Sequence, residues 1–184
     1  MNQAPERPLD EYLVLLSQAG STDAMDGLAR RWTPRLMRYA TRVLGGSSES
    51  VEMARDVVQE TWVGAIRGLS SLRDPAQFKA WIYGIATRKC ADAIRTNVRR
   101  RRLDLHSVAA GVVADAAVSL EHRIDMASGI RQLPEKQRAV VHLFYGEDLT
   151  VDEIASALGI PAGTVKSRLH QARQALKRNL GETS

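Results

Sequence analysis

The stretch Leu149–Arg178, LTVDEIASALGIPAGTVKSRLHQARQALKR, predicts two helices joined by a tight turn. Thr150 followed three residues later by Glu153 is a capping box, in which each side chain accepts a hydrogen bond from the other residue's backbone N–H. Gly159 adopts positive φ at no steric cost and therefore ends the first helix. Pro161 suits the first turn of the second helix. Along that helix an apolar stripe follows the helical period: Val165, Leu169, Ala172 and Leu176.

A second row of the longer helix is polar and mostly basic, and consists of Lys166, His170, Arg173 and Lys177. A short helix, a glycine turn and a longer helix with one basic edge are typical of a helix-turn-helix that lays its second helix in the DNA major groove. The same residues also fit an amphipathic helical hairpin in an ordinary bundle. The rest of the chain must decide between these interpretations.

Composition limits the classes of protein that are compatible with the chain. At 184 residues, 44% of them hydrophobic, it can form one or two small domains with a buried core. A net charge of +5 and a pI of about 9.7 favour an anionic partner. Residues 88–102 contain seven basic residues and one acidic residue, and residues 161–178 contain five basic residues and no acidic one. Two separate basic segments indicate two contacts with a polyanion.

Several features argue against secretion, membrane insertion and catalysis. The single cysteine, Cys90, cannot form an internal disulfide, and its apolar surroundings predict a small core residue. The N-terminus lacks a signal-peptide pattern and no apolar run reaches membrane-spanning length, so we expect a cytoplasmic protein without membrane insertion. We also expect no metal site and no metal-dependent nucleic-acid-processing enzyme, because carboxylates are not clustered and the histidines are dispersed: His106, His122, His142 and His170. No cofactor and no small-molecule substrate are expected either.

Hydrophobic periodicity predicts an all-α fold of two small helical domains, residues 1–102 and 118–184, with the helix-turn-helix in the second. Residues 103–117, LDLHSVAAGVVADAA, have no sustained period, contain Gly111 and are interpreted as a flexible linker. In the first domain, two of the predicted helices span about residues 49–69 and 75–100. No strand pattern and no internal repeat are found.

These two helices carry the candidate residues of the first domain. The outer face of the helix at 49–69 has a mixed, partly acidic row that includes Asp56, Gln59 and Glu60, and these residues alone favour a solvated surface over a binding site. The helix at 75–100 interleaves aromatic with basic residues, a combination that can stack on unpaired bases while cations hold phosphates. Core packing of the aromatic residues and a solvated basic terminus are the simpler alternatives.

Four segments, in order along the chain, resemble bacterial sigma factors of the extracytoplasmic-function (ECF) group. They are DVVQETW at 56–62, FKAWIYGIATRKCADAIR at 78–95, LPEKQRAVVHLFYGEDLTVDEIASALGI at 133–160 and GTVKSRLHQAR at 163–173. Their common order, with a linker between the second and the third, is far more specific than any single motif. On these segments the chain is identified as a member of the group.

The resemblance implies a two-domain helical protein that binds core RNA polymerase and directs it to promoter DNA without catalysis of its own. In such proteins the segment containing Asp56, Gln59 and Glu60 docks on a coiled coil of the largest polymerase subunit. The aromatic and basic residues of the helix at 75–100 would contact and help open the −10 element: Lys79, Trp81, Tyr83, Arg88, Lys89, Arg95, Arg99 and Arg100. The recognition helix would contact the −35 element through Thr164, Lys166, Ser167, Arg168, His170, Gln171, Arg173 and Lys177.

Among the recognition-helix residues, we expect Arg168 and Lys177 to hold phosphates. Base edges or nearby phosphates are expected to be reached by Lys166, Ser167, His170, Gln171 and Arg173. The resemblance further implies a linker that runs through polymerase toward the RNA exit path, and an anti-sigma factor is a common partner in the group. Three positions depart from the usual pattern: Arg55 replaces an acidic residue, Arg88 an asparagine and Gln171 an arginine. Promoter sequence therefore cannot be carried over.

Three other classes of protein remain alternatives at this point. An autonomous helix-turn-helix regulator would need a dimer and paired half-sites, and the chain has no dimer heptad. A nucleic-acid-processing enzyme would need clustered metal ligands. A protein-interaction module that mimics a sigma factor would bind polymerase without initiating transcription. Specific transcription in a minimal reconstituted system separates these alternatives.

Overall fold

The computed structural model describes residues 7–107 and 126–179, and within them the chain forms helices and turns and no strand. The α-helices are α1 (Arg7–Gln18), α2 (Thr22–Val43), α3 (Ser48–Gly68), α4 (Phe78–Ser107), α5 (Met126–Gln132), α6 (Glu135–Val141), α7 (Val151–Leu158) and α8 (Ala162–Asn179). Short 3₁₀ turns at Leu69–Ser71 and Pro75–Gln77 connect α3 to α4. A π turn, His142–Gly146, follows α6. The predicted all-α fold class is confirmed.

Local chemistry places the boundaries of the helix-turn-helix where the sequence predicts them. The Thr150 hydroxyl accepts from the backbone N–H of Glu153 at 3.2 Å, and the Glu153 carboxylate accepts from the N–H of Thr150 at 2.8 Å. Gly159 has φ 63° and ψ 38°, the left-handed conformation that ends α7. Pro161 immediately precedes α8, and its carbonyl accepts from the N–H of Thr164 at 2.8 Å. The predicted capping box and glycine stop are therefore both present.

Helix α4 is longer than predicted. It continues to Ser107 instead of ending near Arg100, so the first five residues of the predicted linker, 103–107, are helical. The physical reason is that no glycine or proline interrupts the chain between Ile85 and Ala110, and the run of arginines has high helix propensity. The rest of the predicted linker, 108–117, lies outside the described residues, as does the segment preceding Met126.

The core of the first domain is built around Trp32. Its ring makes edge-to-face contacts with Phe78, at 5.4 Å between centroids, and with Tyr83, at 5.8 Å. Tyr83 in turn contacts Tyr39 at 5.0 Å. Cys90 is fully buried, as the sequence predicts, and burial raises the pKa of its thiol to about 12. These contacts place the first half of α4 in the centre of the domain.

The second domain packs α8 against α5, α6 and α7, and also contacts the first domain. Its core is formed by buried residues of α6, the π turn, the loop before α7, α7 itself and α8: Val140, Leu143, Leu149, Ile154, Val165, Leu169 and Ala172. Helix α7 lies against α4, and the π turn lies against α2, so one continuous cluster of buried side chains extends through both domains. The two domains are therefore packed directly against each other.

Candidate nucleic-acid interface

The acidic row on α3 is exposed because the opposite face of the helix fills the core. Ala54, Val57, Val58, Thr61 and Ala65 are buried, and this arrangement turns Asp56, Gln59 and Glu60 to solvent. The Glu60 carboxylate accepts from the Lys89 ammonium of α4 at 3.0 Å. A groove of about 400 Å³ runs between the two helices, and Asp56, Glu60, Lys89 and Arg100 are among the residues that line it. The α3 row is therefore accessible to a partner.

The basic residues of α4 differ in how accessible they are. Arg88, Arg95, Arg99 and Arg100 are exposed, whereas Lys79, Trp81 and Lys89 are half-buried. Arg95 pairs with Asp92 one turn earlier, and Lys89 pairs with Glu60, so two of the predicted DNA contacts already have acidic partners. Surface pairs of this kind contribute only about 0–1 kcal/mol to stability. The cation of each pair can therefore leave its acidic partner for a DNA phosphate. Arg95, Arg99 and Arg100 form a basic surface on the C-terminal half of α4, and Arg88 lies closer to the start of the helix.

Tyr83 does not lie on that surface. Its side chain is fully buried, in the aromatic cluster of the first domain on one side and against the second domain on the other. Its hydroxyl donates to the carboxylate of Glu147, which follows the π turn of the second domain. Burial and the nearby Glu147 raise the pKa of Tyr83, so the phenol remains a protonated donor. While the domains are packed in this way, Tyr83 cannot stack on a base. The sequence prediction that Tyr83 contacts the −10 element requires an accessible ring, and the ring is buried here.

Each domain supplies an arginine to the end of a helix in the other domain. Arg88 of α4 donates to the carbonyl of Ala157, in the last turn of α7, at 3.4 Å. Arg138 of α6 donates to the carbonyl of Val43, the last residue of α2, at 2.7 Å. The last four carbonyls of a helix lack intrahelical donors and carry its partial negative charge, so cations are favourable partners there.

A glycine permits a close approach of two backbones between the domains. The backbone of Ala157 lies directly on Gly84 of α4, and a Cβ atom at position 84 would overlap its carbonyl oxygen and lie 3.1 Å from its carbonyl carbon. Sequence reasoning did not single out this glycine. An isolated glycine inside a helical pattern is nevertheless a signal of close packing, and Gly84 carries that signal.

The second basic surface lies on α8, whose buried stripe faces the domain core. Lys166, Ser167, His170, Gln171, Arg173 and Lys177 are exposed, while Thr164 and Arg168 are half-buried. Two of the exposed side chains are held by neighbours. Arg173 Nε donates to Tyr145 Oη at 2.8 Å and its guanidinium lies 5.8 Å from the centroid of that ring. Gln171 accepts from the amide of Gln137 at 3.3 Å.

Tyr145 is a functional candidate that sequence reasoning missed. It lies in the π turn and is 55% exposed, and it orients Arg173 through both its hydroxyl and its ring. Exposed aromatic residues next to a basic row are a recognisable signal, but the period of the π turn differs from that of an α-helix. The pairing across 28 residues of sequence therefore follows from the structure alone.

His142 and Glu147 are titratable groups at the domain contact. Burial, reinforced by the cations Arg42 and Arg138, lowers the pKa of His142 to about 4. Burial raises the pKa of Glu147, against the opposing effects of the Tyr83 hydrogen bond and nearby cations. His142 is therefore neutral at pH 7, and the region is held together by carbonyl–guanidinium and phenol–carboxylate hydrogen bonds.

We expect the protein to lose stability as the pH falls from 6.5 to 4, because unfolded His142 binds a proton in that window and folded His142 does not. The loss is about 2 kcal/mol, after allowance for the partial exposure of the ring. His142→Gln should reduce this dependence. Urea unfolding of both proteins across pH 4–7 measures the effect, and since both carry Glu147, the difference isolates His142. Parallel pH profiles of the two proteins would contradict the assignment.

Two further findings concern the described parts of the chain. Between residues 7 and 107 and between 126 and 179, no helix combines the length and apolar character needed to cross a membrane. Within the same ranges, no three side chains of the metal-binding types are grouped closely enough to hold an ion.

Comparison with known proteins identifies the two domains. The family described as Sigma-70 region 2 matches residues 28–101, and Sigma-70, region 4 matches residues 125–176. The chain is 34% identical to the ECF RNA polymerase sigma factor SigW of Bacillus subtilis, over 88% of this chain and 91% of that protein. It is 33% identical to the ECF RNA polymerase sigma factor SigM of Mycobacterium tuberculosis H37Rv, over 94% of this chain and 85% of that protein.

Two solved structures have a similar fold. CnrH, in complex with the cytosolic domain of CnrY, superposes with a TM-score of 0.66 at 28% identity, covering 96% of this chain and 99% of that one. The sigma factor RpoE of Bartonella quintana, in complex with the anti-sigma factor NepR, gives 0.64 at 24% identity over 86% and 98%. The chain therefore belongs to the ECF group of RNA polymerase sigma factors, and it binds core RNA polymerase and directs transcription initiation at promoters with −10 and −35 elements.

Proposed function

We propose that this sigma factor works through three separate surfaces, one on each of α3, α4 and α8. The α3 row docks on core polymerase, the basic surface of α4 receives the −10 element and the basic row of α8 contacts the −35 element. The observation that carries this proposal is that an exposed acidic row and two exposed basic rows lie on different helices of one chain. A partner protein and DNA can therefore be bound at the same time.

The docking surface consists of Asp56, Gln59 and Glu60. All three side chains are exposed on one face of α3, and the match to the docking segment of the family supports their role. The carboxylates offer charge-assisted acceptors, and Gln59 offers both a donor and an acceptor. The link from Glu60 to Lys89 places the polymerase surface next to the basic helix. Binding at the polymerase surface therefore changes the surroundings of the basic helix, and binding at the basic helix changes those of the polymerase surface.

The −10 surface consists of the basic residues of α4 together with Trp81 and, once uncovered, Tyr83. Cations hold the backbone of a separated strand, and aromatic rings receive its bases. Stacking on a base contributes about 1–3 kcal/mol, which biases the opening of the duplex but does not open a transcription bubble unaided. Core polymerase supplies the remaining free energy.

The −35 surface divides between residues that read bases and residues that hold phosphates. Lys166, Ser167, His170 and Gln171 are exposed on the solvent side of α8 and suit the base edges. Arg168, Lys177 and Thr164 suit the flanking phosphates. Arg173 has its Nε occupied by Tyr145, which leaves its two terminal nitrogens for DNA. We assign them to a phosphate, and the experiment below distinguishes this contact from a bidentate contact to guanine.

Lys166→Ala and Arg173→Ala should therefore have different effects. Loss of Lys166 is expected to cost about 1–3 kcal/mol and to relax the preference at one position of the −35 element. Loss of Arg173 is expected to weaken binding to every sequence and to reduce the salt slope by about one unit. Selection of −35 sequences by each holoenzyme, combined with salt titrations, measures both effects.

Tyr145→Phe is the matched control, since it removes only the hydroxyl that accepts from Arg173. It should reproduce part of the Arg173→Ala loss in the wild-type background and add nothing in the Arg173→Ala background. Relaxed sequence preference in Arg173→Ala, at an unchanged salt slope, would instead make Arg173 a base reader.

Several finer assignments belong to the same proposal. The docking and −10 functions belong to residues 1–102, the −35 function to residues 118–184, and residues 103–117 connect them, with α4 extending into this connection. The protein acts without catalysis of its own and works in the cytoplasm, where bacterial promoters are. An anti-sigma factor is a further proposed partner, and a fold similar to this one has been solved in complex with such a protein.

The test of the proposed function is to sequence the transcript starts that core polymerase produces with and without this protein. We expect a set of starts that share two upstream elements with constant spacing. A chain that binds polymerase but yields no shared elements would be a sigma mimic, and one that protects DNA without polymerase at paired half-sites would be an autonomous regulator.

A further inference from the structure

We propose that Gln171 of α8 reads an adenine in the major groove of the −35 element, and that Gln137 of α6 is the positioning residue that orients the Gln171 amide toward that base. This inference rests on the proposed −35 role of α8. It goes beyond that role because it names one base and adds a residue that lies outside the recognition helix.

Gln171 lies on the solvent side of α8. Val165, Leu169 and Ala172 are buried in the domain core, whereas the Gln171 side chain is exposed. Ser167, also exposed, precedes it by one helical turn on the same face. The major groove of B-DNA admits an α-helix, and side chains on the outer face of that helix meet the base edges. The amide of Gln171 therefore has access to a base pair when α8 lies in the groove.

A hydrogen bond joins the two glutamines across the contact between α6 and α8. Gln137 Nε2 donates to Gln171 Oε1 at 3.3 Å. This bond uses one of the two lone pairs of Oε1 and neither of the two N–H groups of the Gln171 amide. It also fixes which end of that amide is the acceptor. Gln171 therefore meets DNA with one defined acceptor and one defined pair of donors.

The oriented amide of Gln171 matches one purine and not the other. Adenine presents an N6–H donor beside its N7 acceptor, whereas guanine presents two acceptors, O6 and N7. When Gln171 Nε2 donates to N7, the remaining lone pair of Oε1 accepts from adenine N6. With guanine the same oxygen faces O6, and two acceptors repel each other. The contact with Gln137 thus favours adenine over guanine.

The surroundings of the two glutamines suit nucleic acid. A groove of about 410 Å³ lies between α6 and α8, and both glutamines, His170, Gln174 and Arg178 are among the residues that line it. None of the lining residues of this groove is acidic. A DNA strand that approaches the two amides therefore meets no carboxylate in the groove wall and has a guanidinium within it.

The base read by Gln171 differs from the base assigned to Lys166. The two residues are five positions apart along α8, which is about 7.5 Å along the helix axis and about two base-pair steps of 3.4 Å. We therefore expect adenine at one position of the −35 element, about two base pairs from the position whose preference is relaxed in Lys166→Ala.

Transcription by the holoenzyme from templates with a constant −10 element and a randomised −35 element tests the assignment, with the transcripts counted by sequencing. Gln171→Ala should flatten the adenine preference at one position. Loss of the bidentate contact corresponds to a fall of about fivefold to about a hundredfold in the ratio of adenine to guanine there. Gln171→Arg should change the preference to guanine, because arginine donates to both O6 and N7.

Gln174→Ala is the matched control for Gln171→Ala. Gln174 is also an exposed glutamine of α8 and lines the same groove. Its replacement should leave the preference at the adenine position unchanged. Equal flattening of that position by Gln174→Ala and Gln171→Ala would overturn the assignment to Gln171.

Gln137 is tested by variants that lose or keep its donor. Gln137→Ala removes the N–H that orients Gln171, so the ratio of adenine to guanine should fall at the same position and stay unchanged at the others. Gln137→Lys keeps a donor of similar reach and should restore the ratio. A purely structural role of Gln137 would lower transcription from all templates equally at an unchanged ratio, and that result would overturn its positioning role.

Failure of the adenine assignment differs from failure of the proposed function. Identical preferences in wild type and Gln171→Ala at every position would overturn the assignment and leave the −35 role of α8 in place. Preference for another base at the position that Gln171→Ala flattens would overturn it as well. Transcription that depends on no base of the −35 region with any of these proteins would overturn the proposed function itself, and the adenine assignment with it.

Discussion

Reversing both Asp56 and Glu60 to Lys should weaken the formation of the holoenzyme strongly while leaving the fold intact. Loss of charge-assisted contacts, together with repulsion of the partner's cations, costs at least about 3 kcal/mol, which corresponds to about a hundredfold weaker binding. The cost to the sigma factor itself is small. The Glu60–Lys89 pair is a surface pair, with the Glu60 side chain 59% exposed, and such pairs contribute about 0–1 kcal/mol to stability.

Binding of the double variant to core polymerase, measured by fluorescence anisotropy, tests this expectation. Circular dichroism and the melting temperature should remain close to those of wild type. Reversal of Asp23 and Asp26 on α2 is the matched control, because it changes the net charge equally on another exposed surface. Equal affinity of the α3 variant and this control would remove Asp56 and Glu60 from the docking surface.

The elements that could be predicted from sequence are those whose causes are local. The capping box of Thr150 and Glu153, the left-handed Gly159 and the apolar stripe of α8 each depend on residues within a few positions of one another. Cys90 was predicted to be buried because its neighbours in α4 follow a single period. The end of α4 was predicted too early because clustered charge was interpreted as the end of a helix, whereas propensity carries the helix on to Ser107.

The elements that could not be predicted depend on distant contacts. Tyr83 was assigned to an accessible surface because its helix is basic, but its hydroxyl bonds to Glu147, 64 residues away. Tyr145, in the π turn between α6 and α7, pairs with Arg173 of α8, and neither residue indicates the other in sequence. The roles of the α3, α4 and α8 residues in binding polymerase and DNA stay predictions, because exposure of these side chains is compatible with such roles but does not test them.

The free protein and the holoenzyme should differ most in promoter selection. Eighteen residues separate Ser107 from Met126, and even a fully extended chain of that length spans only about 60 Å. Promoter elements lie roughly 58 Å apart, which is near that limit. Free DNA binding would have to supply both the free energy of extending this connection and the free energy of separating the domains.

Under the proposed assignment, core polymerase meets both costs, because it would bind the α3 row independently of DNA and would offer the connecting segment a path. We therefore expect the free protein to bind DNA weakly and with little sequence preference, and its affinity to fall steeply with salt because cation–phosphate contacts dominate. The holoenzyme should protect both elements. Footprinting of one promoter with each species, over the same concentrations and at two salt levels, measures the difference. Protection of both elements by the free protein, at concentrations where the holoenzyme also binds, would show that the domains separate and reach the two elements without polymerase.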